Sequence, residues 1–157
     1  MTTSTLPDID SLSLTITQEI HVNASIEVTF ESLIEQLTDN EMTNGTAMPM
    51  KLEPVPGGRW YRDLGNNNGH LWGHVQAIKR PTLLEFSGPL FMSYPVANNV
   101  QYRLSAADGV TTIKFRHSGF GLISEEHRKG VTGGWGHING QIRTRAERKE
   151  SKSGSTQ

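Results

Sequence analysis

The chemistry open to this chain runs through its six histidines, because it has no cysteine. A missing thiol excludes a disulfide scaffold, a thiolate metal site and a cysteine nucleophile together. His70, Trp72 and His74 share a parity in GHLWGHV, so a strand there puts all three on one face. His70 and His74 then stand about 13 Å apart at roughly 3.3 Å per residue, too far to share one ion. On a helix, His127 and His137 are about 15 Å apart along the axis. No local spacing makes a metal site, and the sequence points to no metal and no cofactor.

His117 differs, because it continues the alternation of Ile113 and Phe115 on the apolar parity of a strand. Two roles suit it. One is a core-edge histidine satisfied by a backbone carbonyl. The other is a donor or general base facing a cavity, with an unperturbed pKa of about 6.5. Tyr102 has the same parity in the neighbouring segment and would share that pocket. Arg59, Tyr61 and Asp63 form one face of a further strand, with Trp60, Arg62 and Leu64 on the other. Either set supplies a polar group to an apolar site, or pairs its charges at the surface. Met92, Tyr94 and Pro95 lie in an apolar loop that either caps a cavity mouth or packs. The cavity candidates are therefore His117, Tyr102, Phe115, Trp72, His70, His74 and Tyr61, joined by Trp135 and Ile138 from the last helix. No Ser-His-Asp order, P-loop or GxGxxG stands beside them.

These residues need elements to position them. Leu12 to Val22 alternates as a strand with one wet face, and Ile26, Phe30, Leu33, Ile34 and Leu37 then recur at helical spacing behind the capping candidates Asn23 and Ser25. TDNEMTNGT reads as a loop, and Met48 to Leu52 resumes alternation. Strands follow at Arg59 to Leu64, His70 to Ile78 and Leu83 to Ser87, then a hairpin of Asn99 to Ser105 and Val110 to His117 across AADG. A helix from about Ser124 to Arg148 closes the fold. On its wheel, with Val131 at zero, Trp135, Ile138 and Ile142 fall at about 40°, 340° and 20°, one apolar stripe. Gly133, Gly136 and Gly140 fall at about 200°, 140° and 180°, on the opposite face. Each costs a helix roughly 1 kcal/mol relative to Ala, which a symmetric partner packed on bare backbone would explain, as would a kink or loop at Gly130 to Gly134. A homodimer through Gly133, Gly136 and Gly140 is thus one expectation.

The 157 residues fit a single domain at 12–148, with disordered tails expected at 1–11 and 149–157. A net charge of -1 creates no global field for nucleic acid or an anionic membrane. MTTSTLPDIDS has neither a basic start nor an apolar core, and no 18 apolar residues run together, so the expected location is cytoplasmic without a membrane span.

GGRWYRDLG, GHLWGHVQAIKRPTLLEFSGP, TTIKFRHSGFG and EEHRKGVTGGWGHI, in this order, resemble the SRPBCC, or START-like, superfamily. Within it the chain is similar to the AHSA-type branch, related to the C-terminal domain of heat-shock ATPase activators. The pointed features are GGRW at Gly57 to Trp60, G-x-V-x-x-I-x-x-P from Gly73 to Pro81, and the Gly134-Trp135 pair. Gln76-Ala77-Ile78 lacks the acid that often precedes that isoleucine. The resemblance implies an α+β helix-grip fold, like that of the Bet v allergens: a curved antiparallel sheet wrapped around a long C-terminal helix, two short helices after the first strand, and often a cavity between. It implies no universal catalytic residue. Binding of a small hydrophobic molecule in that cavity is the first functional expectation. A cyclase- or hydrolase-type enzyme using His117 is the second, and a chaperone-associated interaction module the third.

Overall fold

The computed structural model describes residues 8–155. Asp8 caps a single turn, α1 (Ile9–Leu12), by accepting from the Ser11 amide, and the chain runs directly into β1 (Ser13–Val22). Residues 9–11 are thus helical where a disordered tail was expected. Arg128 explains the difference: its guanidinium donates to the carbonyls of Ser11 and Ser13 at 2.6 and 2.7 Å. The remainder of that expected tail, residues 1–7, lies outside the described residues.

Ser25 caps α2 (Ile26–Thr38), whose Phe30, Leu33 and Leu37 are buried. Two short strands, β2 (Asp39–Glu41) and β3 (Ala47–Pro49), then pair with each other and, among the described residues, with no other strand. This hairpin stands where the family resemblance implied a second short helix, and where sequence composition suggested only a loop. Then come β4 (Lys51–Leu52), β5 (Arg59–Gly65), β6 (Asn68–Lys79), β7 (Leu83–Gly88), β8 (Val96–Ala107) and β9 (Val110–Gly121). With β1 they form one antiparallel seven-stranded sheet in the order β1-β9-β8-β7-β6-β5-β4. The hairpin of β8 and β9 turns on Asp108 and Gly109, both at positive φ, which matches the twist of the flanking strands.

The concave face of this sheet holds α2 and the long α3 (Glu125–Ser155), giving the helix-grip architecture. Val131, Trp135, Ile142 and Ala146 are buried along α3, while Ile138 is half-buried at the edge of the stripe. Trp60, fully buried, donates its indole N–H to the Leu37 carbonyl at 2.9 Å and so ties α2 to the sheet. The helix continues through Ser155, correcting the tail expected from residue 149. Its last turns are held by α2, where Lys149 pairs with Glu31 and Glu35, and by Glu147, which accepts from the Asn23 amide. No helix among the described residues is long and apolar enough to cross a membrane.

Candidate functional site

A chain of buried hydrogen bonds crosses the core beneath α3. The Trp135 indole donates to Nδ1 of His117 at 3.0 Å, which fixes the tautomer, since an indole N–H can only donate. Nε2 therefore carries the proton and donates to Oδ1 of Asn98 at 2.7 Å. The Asn98 amide in turn donates to the carbonyls of Gly88 and Pro89. Burial lowers the His117 pKa from 6.5 to about 4, so the ring is neutral at pH 7. On the other side of Trp135, the Tyr102 hydroxyl donates to Asn139, whose amide donates to Gln18. Burial pushes the Tyr102 phenol far above its ordinary range.

The first network holds a loop in place. Gly73 on β6 faces Gly88 on β7 so closely that a Cβ on Gly88 would lie 2.4 Å from the Gly73 Cα. The Leu90 amide then donates to the Trp72 carbonyl, and the segment after β7 turns over the end of the sheet. This presents Phe91 to Trp72, with ring centroids 6.0 Å apart, and Phe91 to His127 at 5.7 Å. Tyr94 from the same loop meets Nδ1 of His127 through its hydroxyl at 2.6 Å.

Between this loop, α3 and the β2-β3 hairpin lies a cavity of about 520 Å³. Its body is apolar: Trp72 and Phe91 from the sheet end, Val131, Trp135 and Ile138 from α3, Met42 and Met48 from the hairpin. Gly130 and Gly134 form a stretch of bare backbone along the helix wall, and beyond the helix's own backbone neither has a heavy atom within 4 Å of where a Cβ would stand. Polar groups sit around this body: Asn40, Glu41, Thr43, Glu126, His127 and His137. The lining contains carboxylates and imidazoles but no Lys or Arg. At the base of the hairpin, Arg145 donates to Gln36 at 2.6 Å and to the Asp39 carbonyl at 2.8 Å, anchoring it to α3.

The family model described as "Activator of Hsp90 ATPase homolog 1-like protein" matches residues 23–147. The chain belongs to this family. Among solved structures it is similar to the protein MLL2253 from Mesorhizobium loti, at 17% identity, with 86% of this chain and 98% of that chain covered and a TM-score of 0.67. A protein from Rhizobium leguminosarum is similar at 18% identity, 87% and 95% coverage and a TM-score of 0.68. Ara h 8.0201 matches at 15% identity, 85% and 97% coverage and a TM-score of 0.62. At these identities the likeness is one of fold, and it carries the helix-grip assignment. No curated protein matches the chain.

Within this family fold, the sequence-predicted residues separate into four places. Trp72, Trp135 and Ile138 line the cavity. His117, Tyr102 and Phe115 are buried behind it. Both nitrogens of His117 are occupied by Trp135 and Asn98, so it faces no cavity and has no site from which to take a ligand's proton. His70, 6.5 Å from the Trp72 ring, is half-buried outside the lining. Tyr61 and His74 lie on the outer face, where the Arg59 guanidinium sits 4.5 Å over the Tyr61 ring. A β-bulge separates His74 from Trp72: Trp60 pairs with Gly73 and Tyr61 with Leu71, which leaves Trp72 without a partner and inverts the parity beyond it.

The residues that the sequence did not assign to a cavity or its support are Asn98, His127, His137, Gly130, Gly134 and the Met42–Met48 hairpin, although His127 and His137 were weighed as a metal pair. Most had a signal. On the same helical wheel His127, Gly134, Gly130 and His137 fall at about 320°, 300°, 260° and 240°, on one flank of the apolar stripe. Asn98 shares the inward parity of Val100 and Tyr102.

Proposed function

We propose that this protein binds a small, mainly apolar molecule in the cavity between α3, the end of the sheet and the β2-β3 hairpin. The observation that carries this reading is the cavity itself: about 520 Å³, walled by two tryptophans, a phenylalanine and two methionines, with a few polar groups around them. That size and composition are those of sites for drug-sized ligands. The test uses the neutral fluorophore N-phenyl-1-naphthylamine. Its emission should rise on mixing with the protein, and Gly134→Leu, which fills the cavity from the helix side, should abolish the rise. An unchanged signal in the variant defeats the reading. Native mass spectrometry of protein purified from its own host then identifies what it carries.

One observation favours acid–base chemistry as a second reading, with the role moved from His117 to His127. Tyr94 holds Nδ1 of His127 at 2.6 Å and so orients the ring in the cavity wall. Deuterium exchange at the α-carbon of 2-acetonaphthone, accelerated by the protein and lost in His127→Phe, is the expected outcome. No acceleration removes this reading and leaves binding untouched.

A further inference from the structure

Among the described residues, one buried side-chain polar atom has no hydrogen-bond partner: Nε2 of His137. Every other buried histidine, asparagine and tyrosine around it is satisfied, as the chains through His117 and through Asn139 show. An unpaired nitrogen closed off from water is costly, and native structures hold few of them without a purpose. His137 is also part of the cavity lining, on the flank of α3 that carries Glu126, Gly130 and Gly134. We propose that His137 is the residue by which the cavity recognises a polar group on its ligand, and that this group is a neutral hydroxyl or carbonyl rather than a carboxylate. The inference rests on the binding function proposed above.

The choice of a neutral group follows from charge. Glu41 and Glu126 contribute to the same lining, one from the hairpin and one from α3, and no Lys or Arg does. An anionic ligand would enter against two carboxylates with no fixed cation to receive it. The one open ring nitrogen, by contrast, pairs with a hydroxyl whichever tautomer the imidazole takes, and with a carbonyl when it carries the proton. The ligand's apolar body then lies along Gly130 and Gly134, where missing side chains leave flat backbone between His127 and His137. Reaching Nε2 requires the lining to yield slightly, and the unbranched side chains of Met42 and Met48 are suited to that.

Naphthalene, 2-naphthol and 2-naphthoate share one apolar body and differ in the polar group, so their dissociation constants isolate it. Titrations followed by the indole N–H resonances of Trp72 and Trp135 should show 2-naphthol binding roughly 5- to 10-fold more tightly than naphthalene, and 2-naphthoate most weakly. In His137→Phe the naphthol preference, read as the ratio of the two dissociation constants, should fall to about one, while His137→Gln should restore it. Equal binding of naphthol and naphthalene by the unmodified protein overturns the role of His137, as does a preference that survives in His137→Phe. Tightest binding of 2-naphthoate overturns the charge argument. If none of the three shifts either indole resonance, the binding function falls and this inference falls with it. Naphthalene binding without discrimination sinks this inference alone.

Discussion

Trp135 does two jobs at once: its ring packs on Phe115, with centroids 4.8 Å apart, and its indole N–H satisfies His117. Two substitutions separate them. Trp135→Ala should cost about 3–5 kcal/mol in chemical denaturation, whereas Trp135→Phe keeps most of the packing and leaves Nδ1 of His117 unpaired, at roughly 1–3 kcal/mol. A loss below about 1 kcal/mol for Trp135→Ala means the ring is not core. His117 adds a pH dependence. Its pKa is 6.5 in an unfolded chain and about 4 in the fold, so between those values the unfolded state binds more protons. Stability should therefore fall as pH drops from about 6.5 to about 4, by on the order of 3 kcal/mol, and level off below. Subtracting the profile of His117→Gln isolates this contribution, and a flat difference refutes the buried neutral imidazole. Alternation alone put His117 on the inner parity. It could not show that the partners are Trp135 and Asn98, because those pairings depend on how α3 sits on the sheet. His74 shows the opposite case: one unpaired residue at Trp72 moved it to the outer face, and a bulge leaves no mark in period-two alternation.

At the scale of elements, the glycines of α3 divide into two sets with different consequences. Gly133, Gly136 and Gly140, the face expected to pack on a second copy, have nothing beyond the helix's own backbone closer than 4.0 Å to an added Cβ, while Gly130 and Gly134 border the cavity. Ala at Gly133 or Gly140 should raise stability by up to about 1 kcal/mol each and leave naphthalene binding unchanged. Ala at Gly134 should raise stability similarly yet weaken binding, because its methyl occupies ligand space. A loss of stability at Gly133 and Gly140 instead, together with a dimer in sedimentation that dissociates in the variants, is the outcome expected if that face packs on a second copy. The stripe and the strands were legible because each spans several periods. The β2-β3 hairpin was not, since three residues per strand are too few to show alternation, and TDNEMTNGT is polar enough to read as a loop.

Across the whole molecule, the cavity draws its walls from segments far apart in the chain: the hairpin at 39–49, Trp72 on β6, Phe91 after β7, and the first half of α3. The sheet order and the family fold were foreseeable from the order of elements, but the cavity's position was not, because only tertiary packing brings Met42 to Phe91 and His137. A ligand that touches all these walls bridges them, and its effect on local opening should follow the same geography. The hairpin is the weakest wall. Among the described residues it pairs with no other strand, is tied at its base through Gln36 and Asp39 to Arg145, and leaves residues 42–47 exposed at its tip. β1 and β9, by contrast, pair with each other along their length and contribute no residue to the cavity. Amide hydrogen exchange should therefore slow on addition of 2-naphthol first in the hairpin and in residues 126–138 of α3. The β1 and β9 amides, whose ladder carries no cavity residue, should gain no more than the global stabilisation of roughly 2.7 kcal/mol expected at a hundredfold excess over Kd. Equal slowing in every segment means the ligand does not hold the hairpin. Slowing confined to β1 and β9 places the ligand elsewhere, because only a molecule seated between the hairpin and α3 restrains both.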